Sequence, residues 1–219
     1  ECYRAVLKKF PYTIRVLKSA GETSMVLEEF DQALNYFNQF LNMHPNVPTL
    51  QSSKGICLAA LKRYEEAVQC CEKAIAINPK LVDPWFTKGV ACKELGLLEE
   101  ALTSFDQLLN LDPTHTTAME KKGDILESMN NIEEALKSFE GSILHKPKNI
   151  SLRIKKCQLL FELDRFEEIE SVTEEIFTIQ PSEPRALVEQ EFALKALKKE
   201  EFSREDLQSA RKNAAERRQ

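Results

Sequence analysis

Apolar residues recur along this chain at helical spacing, in short runs that each end in a break. Between 116 and 149, Met119, Gly123, Leu126 and Met129 follow the i, i+4, i+7 pattern of one helix face. Asn130-Asn131 interrupts the run. A second run, from Glu133 to His145, places Ala135, Leu136, Phe139 and Ile143 on one face. Pro147 closes the segment, because the residue before a proline avoids the helical region. The pattern predicts a pair of amphipathic helices. One such pair cannot bury its own apolar face, so neighbouring pairs must stack.

The same pattern returns along the chain. Pro11, Pro45, Pro79, Pro113, Pro147 and Pro181 are each 34 residues apart. Gly21, Gly55, Gly89 and Gly123 keep that step, as do Ala33, Ala67, Ala101 and Ala135. Small residues in register suit helices that approach closely, where a larger side chain would push the backbones apart.

A 34-residue period with Gly, Ala and Pro at these offsets resembles the tetratricopeptide repeat (TPR) family. The segment 82–115 carries the pattern best, with Trp85, Gly89, Ala101, Phe105 and Pro113. Tyr3, Phe37 and Phe139 stand in the Phe105 column, and Cys71 departs from it. The resemblance implies an all-α fold, a right-handed α-solenoid of stacked antiparallel helix pairs forming a TPR superhelix. It phases the repeats as 14–47, 48–81, 82–115, 116–149 and 150–183. Residues 1–13 are expected to end a preceding repeat, which reads the chain as a fragment of a longer array. Residues 184–219 are expected to hold a partial sixth unit and a C-terminal capping helix.

Two further places depart from the pattern. In the fifth repeat Cys157 replaces Gly, Ile169 replaces Ala and Thr173 replaces Phe, so its helix spacing requires compensation. After 199 the register slips, and Ser203 stands where the Ala column would continue. Ser203-Arg204-Glu205-Asp206 reads as a capping pattern, followed by a thin apolar stripe of Leu207, Ala210 and Ala214.

Composition narrows the function classes. The chain has 30 Lys+Arg against 35 Asp+Glu, a net charge of −5, which gives no ground for a nucleic-acid partner. No apolar run approaches the length of a membrane span, so no membrane insertion is expected. No signal peptide is visible. The cysteines Cys2, Cys57, Cys70, Cys71, Cys92 and Cys157 form no CxxC pair. They read as buried free thiols in a reducing compartment, cytoplasmic or nuclear.

Candidate chemistry is thin. Glu65-Glu66, Glu99-Glu100, Glu133-Glu134 and Glu167-Glu168 resemble acid/base dyads, but they recur every 34 residues where second helices begin. Acids in a first turn favour the helix dipole, so they read as structural. His44, His115 and His145 have no second ligand at helical spacing. There is no GxGxxG and no phosphate-binding loop. No cofactor, metal or catalytic residue is expected, and Trp85 reads as packing.

The resemblance implies where recognition would occur, since first helices of such arrays line a concave groove. Carried onto this sequence, the groove positions give Arg15, Lys18, Ser52, Ile56, Phe86, Val90, Lys93, Glu120, Asp124, Glu127, Gln158 and Phe161. Ile56, Phe86 and Val90 make an apolar patch. Arg15 and Lys18 are basic, whereas Glu120, Asp124 and Glu127 favour Lys or Arg on a ligand. Chaperone-binding members resemble one another in a clamp of Lys and Asn. Here Lys18 is followed by Glu22 at the Asn position, with Ser53 and Thr87 at the next clamp columns, so heat-shock chaperone C-termini are not expected partners. The expected function is a non-enzymatic protein-interaction scaffold, binding a protein or peptide ligand along the groove within a multiprotein assembly. The alternative is a targeting arm of a larger enzyme whose catalytic domain lies outside the sequence. A third reading is self-association through Phe192 and the 203–219 helix.

Overall fold

The computed structural model describes residues 14–198 and 203–216, and among these every regular element is an α-helix. The expected end of a preceding repeat at 1–13, and Cys2, lie outside the described residues. The chain divides into two compact units, Glu1–Pro113 and Thr114–Gln219. The first contains α1 (Ile14–Val26), α2 (Phe30–Met43), α3 (Pro48–Ala60), α4 (Tyr64–Ile77), α5 (Val82–Glu94) and α6 (Leu98–Leu111). The second contains α7 (Thr116–Ser128), α8 (Ile132–His145), α9 (Ile150–Glu162), α10 (Phe166–Ile179), α11 (Pro184–Leu197) and α12 (Arg204–Glu216). Within each unit consecutive helices pack in pairs, and each second helix also packs on the first helix of the next pair.

The helix starts at 14, 48, 82, 116, 150 and 184 keep the 34-residue step. The registered prolines fall between pairs. The residues before them, His44, Asn78, Asp112, Lys146 and Gln180, leave the helical region with ψ between 64 and 98°. The glutamate pairs occupy first turns of second helices, as expected. Two of them also pair backwards: Arg63 donates to Glu66 at 2.7 Å, and Arg165 to Glu168 at 2.5 Å. These guanidinium hydrogen bonds hold both exposed carboxyls below their usual range.

Three residues join first to second helices in the five regular pairs. The middle one is left-handed each time: Glu28, Lys62, Gly96, Asn130 and Asp164, with φ from 57 to 77°. Glycine or asparagine suits that conformation, while Glu28 and Lys62 adopt it against a steric cost.

The glycine column has a measurable reason. A Cβ at Gly89 would lie 2.8 Å from the Phe105 ring, and one at Gly123 would lie 2.7 Å from Phe139. A Cβ at Gly55 would lie 2.9 Å from Cys71 Sγ. The fifth pair solves the same interior differently. Cys157, Ile169 and Thr173 are all fully buried there, so bulk lost from the Phe column returns on the Gly and Ala columns. That is the compensation the sequence called for. Trp85 is half-buried rather than interior, and its indole N–H donates to the Pro79 carbonyl at 3.0 Å.

Candidate functional site

In the first unit the first helices α1, α3 and α5 pack in succession, so their outward faces form one surface. Ile56 of α3 and Val90 of α5 stand at the same repeat position and are both half-buried. Phe86, one turn before Val90, is half-buried and sits edge-on to Phe105, with ring centroids 6.0 Å apart. Arg15 and Lys18 of α1 are exposed. Lys18 approaches Glu22 at 3.7 Å, an exposed pair that contributes little. Lys93 of α5 is half-buried and forms no ion pair among the described residues. Ser52 offers no surface. It is 4% exposed, and its hydroxyl points into the packing without a hydrogen-bond partner.

In the second unit, two of the three groove acids are engaged within the fold. Glu120 accepts from buried Ser142 at 2.9 Å and from Lys146 at 3.0 Å. Glu127 of α7 pairs with Lys155 of α9 at 2.5 Å, and the same ammonium lies 5.9 Å from the Phe139 ring centroid. Both anions are thereby neutralised from neighbouring elements, which weakens the expected pull on a basic ligand. Asp124 between them is half-buried, as is Gln158 of α9. Phe161 is stacked edge-on with Phe166 at 5.1 Å and covered by the Arg211 guanidinium at 5.6 Å. Phe192, expected to serve a self-associating surface, is 5% exposed and buried in the chain's own fold.

Sequence reasoning missed the pair that holds α12. Arg211 forms a two-pronged ion pair with Glu189 of α11, at 2.8 and 2.6 Å, and Glu189 is fully buried. The signal was present in the stripe Leu207, Ala210 and Ala214, because Arg211 interrupts that same face. Ser203 and Asp206 cap this helix reciprocally. Asp206 N–H donates to Ser203 Oγ at 3.0 Å, and Ser203 N–H donates to Asp206 Oδ2 at 2.9 Å.

The five described cysteines are free and buried. Burial pushes the Cys57 thiol up to about 11 and the Cys71 thiol up to about 12. Cys70, Cys92 and Cys157 are raised for the same first reason. A nucleophilic cysteine needs a lowered value and exposure, so these thiols are packing groups. No grouping of three or more metal-ligating side chains occurs among the described residues. No helix among them is long and apolar enough to cross a membrane.

Comparison with known proteins agrees with this architecture. Residues 49–81, 70–103 and 116–149 match the tetratricopeptide repeat. No curated protein sequence matches the chain. Among solved structures, MamA superposes with a TM-score of 0.71 at 16% identity, over 78% of this chain and 93% of that one. YrrB, a TPR protein with an unusual peptide-binding site, gives 0.69 at 18% identity, over 85% and 96%. The first TPR domain of Spaghetti (RPAP3), bound to the HSP90 peptide SRMEEVD, gives 0.52 at 24% identity, over 53% and 93%. At these identities the likeness is one of fold. With registered helix starts, glycine–aromatic packing and three matching segments, the chain is a tetratricopeptide-repeat protein.

Proposed function

We propose that this protein is a non-enzymatic interaction scaffold that binds a peptide on the first-helix face of its first unit. The observation that carries the reading is the pair Ile56 and Val90. These apolar residues stand at one repeat position on adjoining helices, half-open, with Lys93 on α5 and Arg15 and Lys18 on α1, which packs against α3. Partly open apolar anchors beside cations suit a peptide that carries both apolar and acidic side chains. YrrB with its peptide-binding site and RPAP3 with its bound peptide give this reading a precedent in fold, though not in ligand. The chaperone tail seen with RPAP3 is not the ligand we propose. Glu22 stands at a clamp position beside Lys18, and Thr87 at another is 6% exposed.

Selection of a displayed peptide library on the whole chain tests the proposal. The expected result is enrichment of peptides combining Asp or Glu with Leu, Ile or Phe. The Ile56→Asp/Val90→Asp variant, with unchanged circular dichroism, should lose at least about 10-fold in affinity for them, the loss of one well-placed apolar anchor. Equal binding by the variant would remove the site from this face.

A further inference from the structure

Helix α12 does not continue the repeat. Six residues separate it from α11, where three join every other first helix to its second. Its contacts differ as well. Elsewhere in the second unit, two second-helix carboxylates pair with their own first helix or the next one. Glu175 of α10 pairs with Arg153 of α9 at 3.1 Å, and Glu140 of α8 pairs with Lys156 of α9 at 2.6 Å. Arg211 of α12 instead reaches backwards past α11 to the ring of Phe161 on α9. Phe161 belongs to the face that a ligand would be expected to touch, and the Arg211 side chain of α12 covers its ring.

The fit is specific and narrow. Arg211 grips Glu189 with both prongs and rests on Phe161. Leu207 and Ala214, one turn to either side, are 3% and 4% exposed. Apart from the small side chains of Ala210 and Ala215 the rest of the helix is polar, and the other α12 side chains described are largely exposed. With α12 in place Glu189 is a fully buried carboxylate, so whatever covers it there must supply a cation. A 13-residue polar helix held by two apolar residues and one cation is too short to persist alone in water. It is therefore an element that docks and undocks as one step.

We propose that the floor formed by Phe161 of α9 and Glu189 of α11 is a helix-binding site, with α12 as its built-in occupant. The external ligand is a partner protein's amphipathic helix with a leucine, an arginine and an alanine at i, i+4 and i+7, the pattern α12 itself presents. The occupied site is closed to the partner until α12 is displaced. This site lies in the second unit and does not rest on the first-unit reading, so failure of the peptide selection leaves it standing.

The probe is a fluorescent synthetic peptide with the sequence 203–216. Fluorescence anisotropy follows its binding to full-length chains. Arg211→Glu places a second anion against Glu189 and should release α12. That chain is expected to bind the probe at least about 100-fold tighter than wild type, the factor that a broken buried ion pair corresponds to. Glu189→Arg should reject the native probe and take one bearing glutamate at the arginine position. Failure of Arg211→Glu to bind, with its helical circular dichroism kept, would falsify the proposal, and so would wild-type binding of equal strength. Hydrogen exchange on the wild-type chain decides the matter even where that variant fails to fold. Amides of 204–216 should exchange at least about 10-fold faster than those of α11, as a separately opening element does. Exchange in step with α11 would make α12 a fixed cap and overturn the proposal. A wild-type dimer that trades α12 between copies would assign the site to a second copy and overturn it too.

Discussion

Phe105→Ala is expected to lower the unfolding free energy by about 3–5 kcal/mol, the range for deleting a fully buried aromatic ring. Phe105 is 0% exposed and its ring lies over the α5 backbone at Gly89. Gly89, against the face of the ring, has no side chain to follow it into the space. Glycine makes the sign of a second change depend on the first. In the wild type, Gly89→Ala puts a methyl group 2.8 Å from the ring and forces a buried aromatic to shift. Overpacking of this kind costs about 1–3 kcal/mol, against roughly 1 kcal/mol gained in helix propensity. In the Phe105→Ala background the clash is gone and the methyl group fills part of the hole. There Gly89→Ala should stabilise by about 1 kcal/mol. Urea unfolding of the four proteins in the cycle measures this. A Gly89→Ala effect of the same sign in both backgrounds would contradict close ring-on-backbone packing.

The second large effect is alkaline. Cys57 and Cys71 titrate near 9.0 when exposed, and burial pushes them to about 11 and about 12. Below pH 9 both thiols are protonated whether the chain is folded or not, and their contribution is fully present. Above pH 9 the unfolded chain gives up protons that the folded chain retains, so stability falls as pH rises. The loss continues to about 11 for Cys57 and about 12 for Cys71. Each thiol then costs about 1.4 kcal/mol per pH unit. Two thiols sum to about 3 kcal/mol between pH 8 and pH 10. The Cys57→Ala/Cys71→Ala variant should lose about 3 kcal/mol less than wild type over that interval, because neither buried thiol is there to titrate. Parallel pH profiles for the two proteins would show that neither thiol is desolvated in solution.

The helix pairs were legible because their cause is periodic. Each registered Pro, Gly and Ala reports a backbone approach or a chain break that recurs with the repeat. The departures at Cys157, Ile169 and Thr173 were legible as a problem, and the structure shows all three buried in one pair. The candidate surface was less legible, for a physical reason. Whether an outward acid is open to a ligand depends on cations far along the chain. Glu120 meets Lys146 and Glu127 meets Lys155, and neither partnership follows from local spacing. Ser52 turns inward because helix position alone does not say how deeply the neighbouring pair overlaps it. The path of α12 was hidden by the register slip at 203, beyond which the repeat no longer says which face meets which.

The exchange of bulk between Gly, Ala and Phe columns is settled inside a single helix pair. A pair that carries Cys157, Ile169 and Thr173 where another carries Gly89, Ala101 and Phe105 exchanges bulk among positions that face one another within the pair. A 34-residue segment can therefore be copied, lost or exchanged as a block with no hole left behind. The gene of such a protein can lengthen or shorten by whole helix pairs, and each new block is free to diverge on its outer face from the first generation.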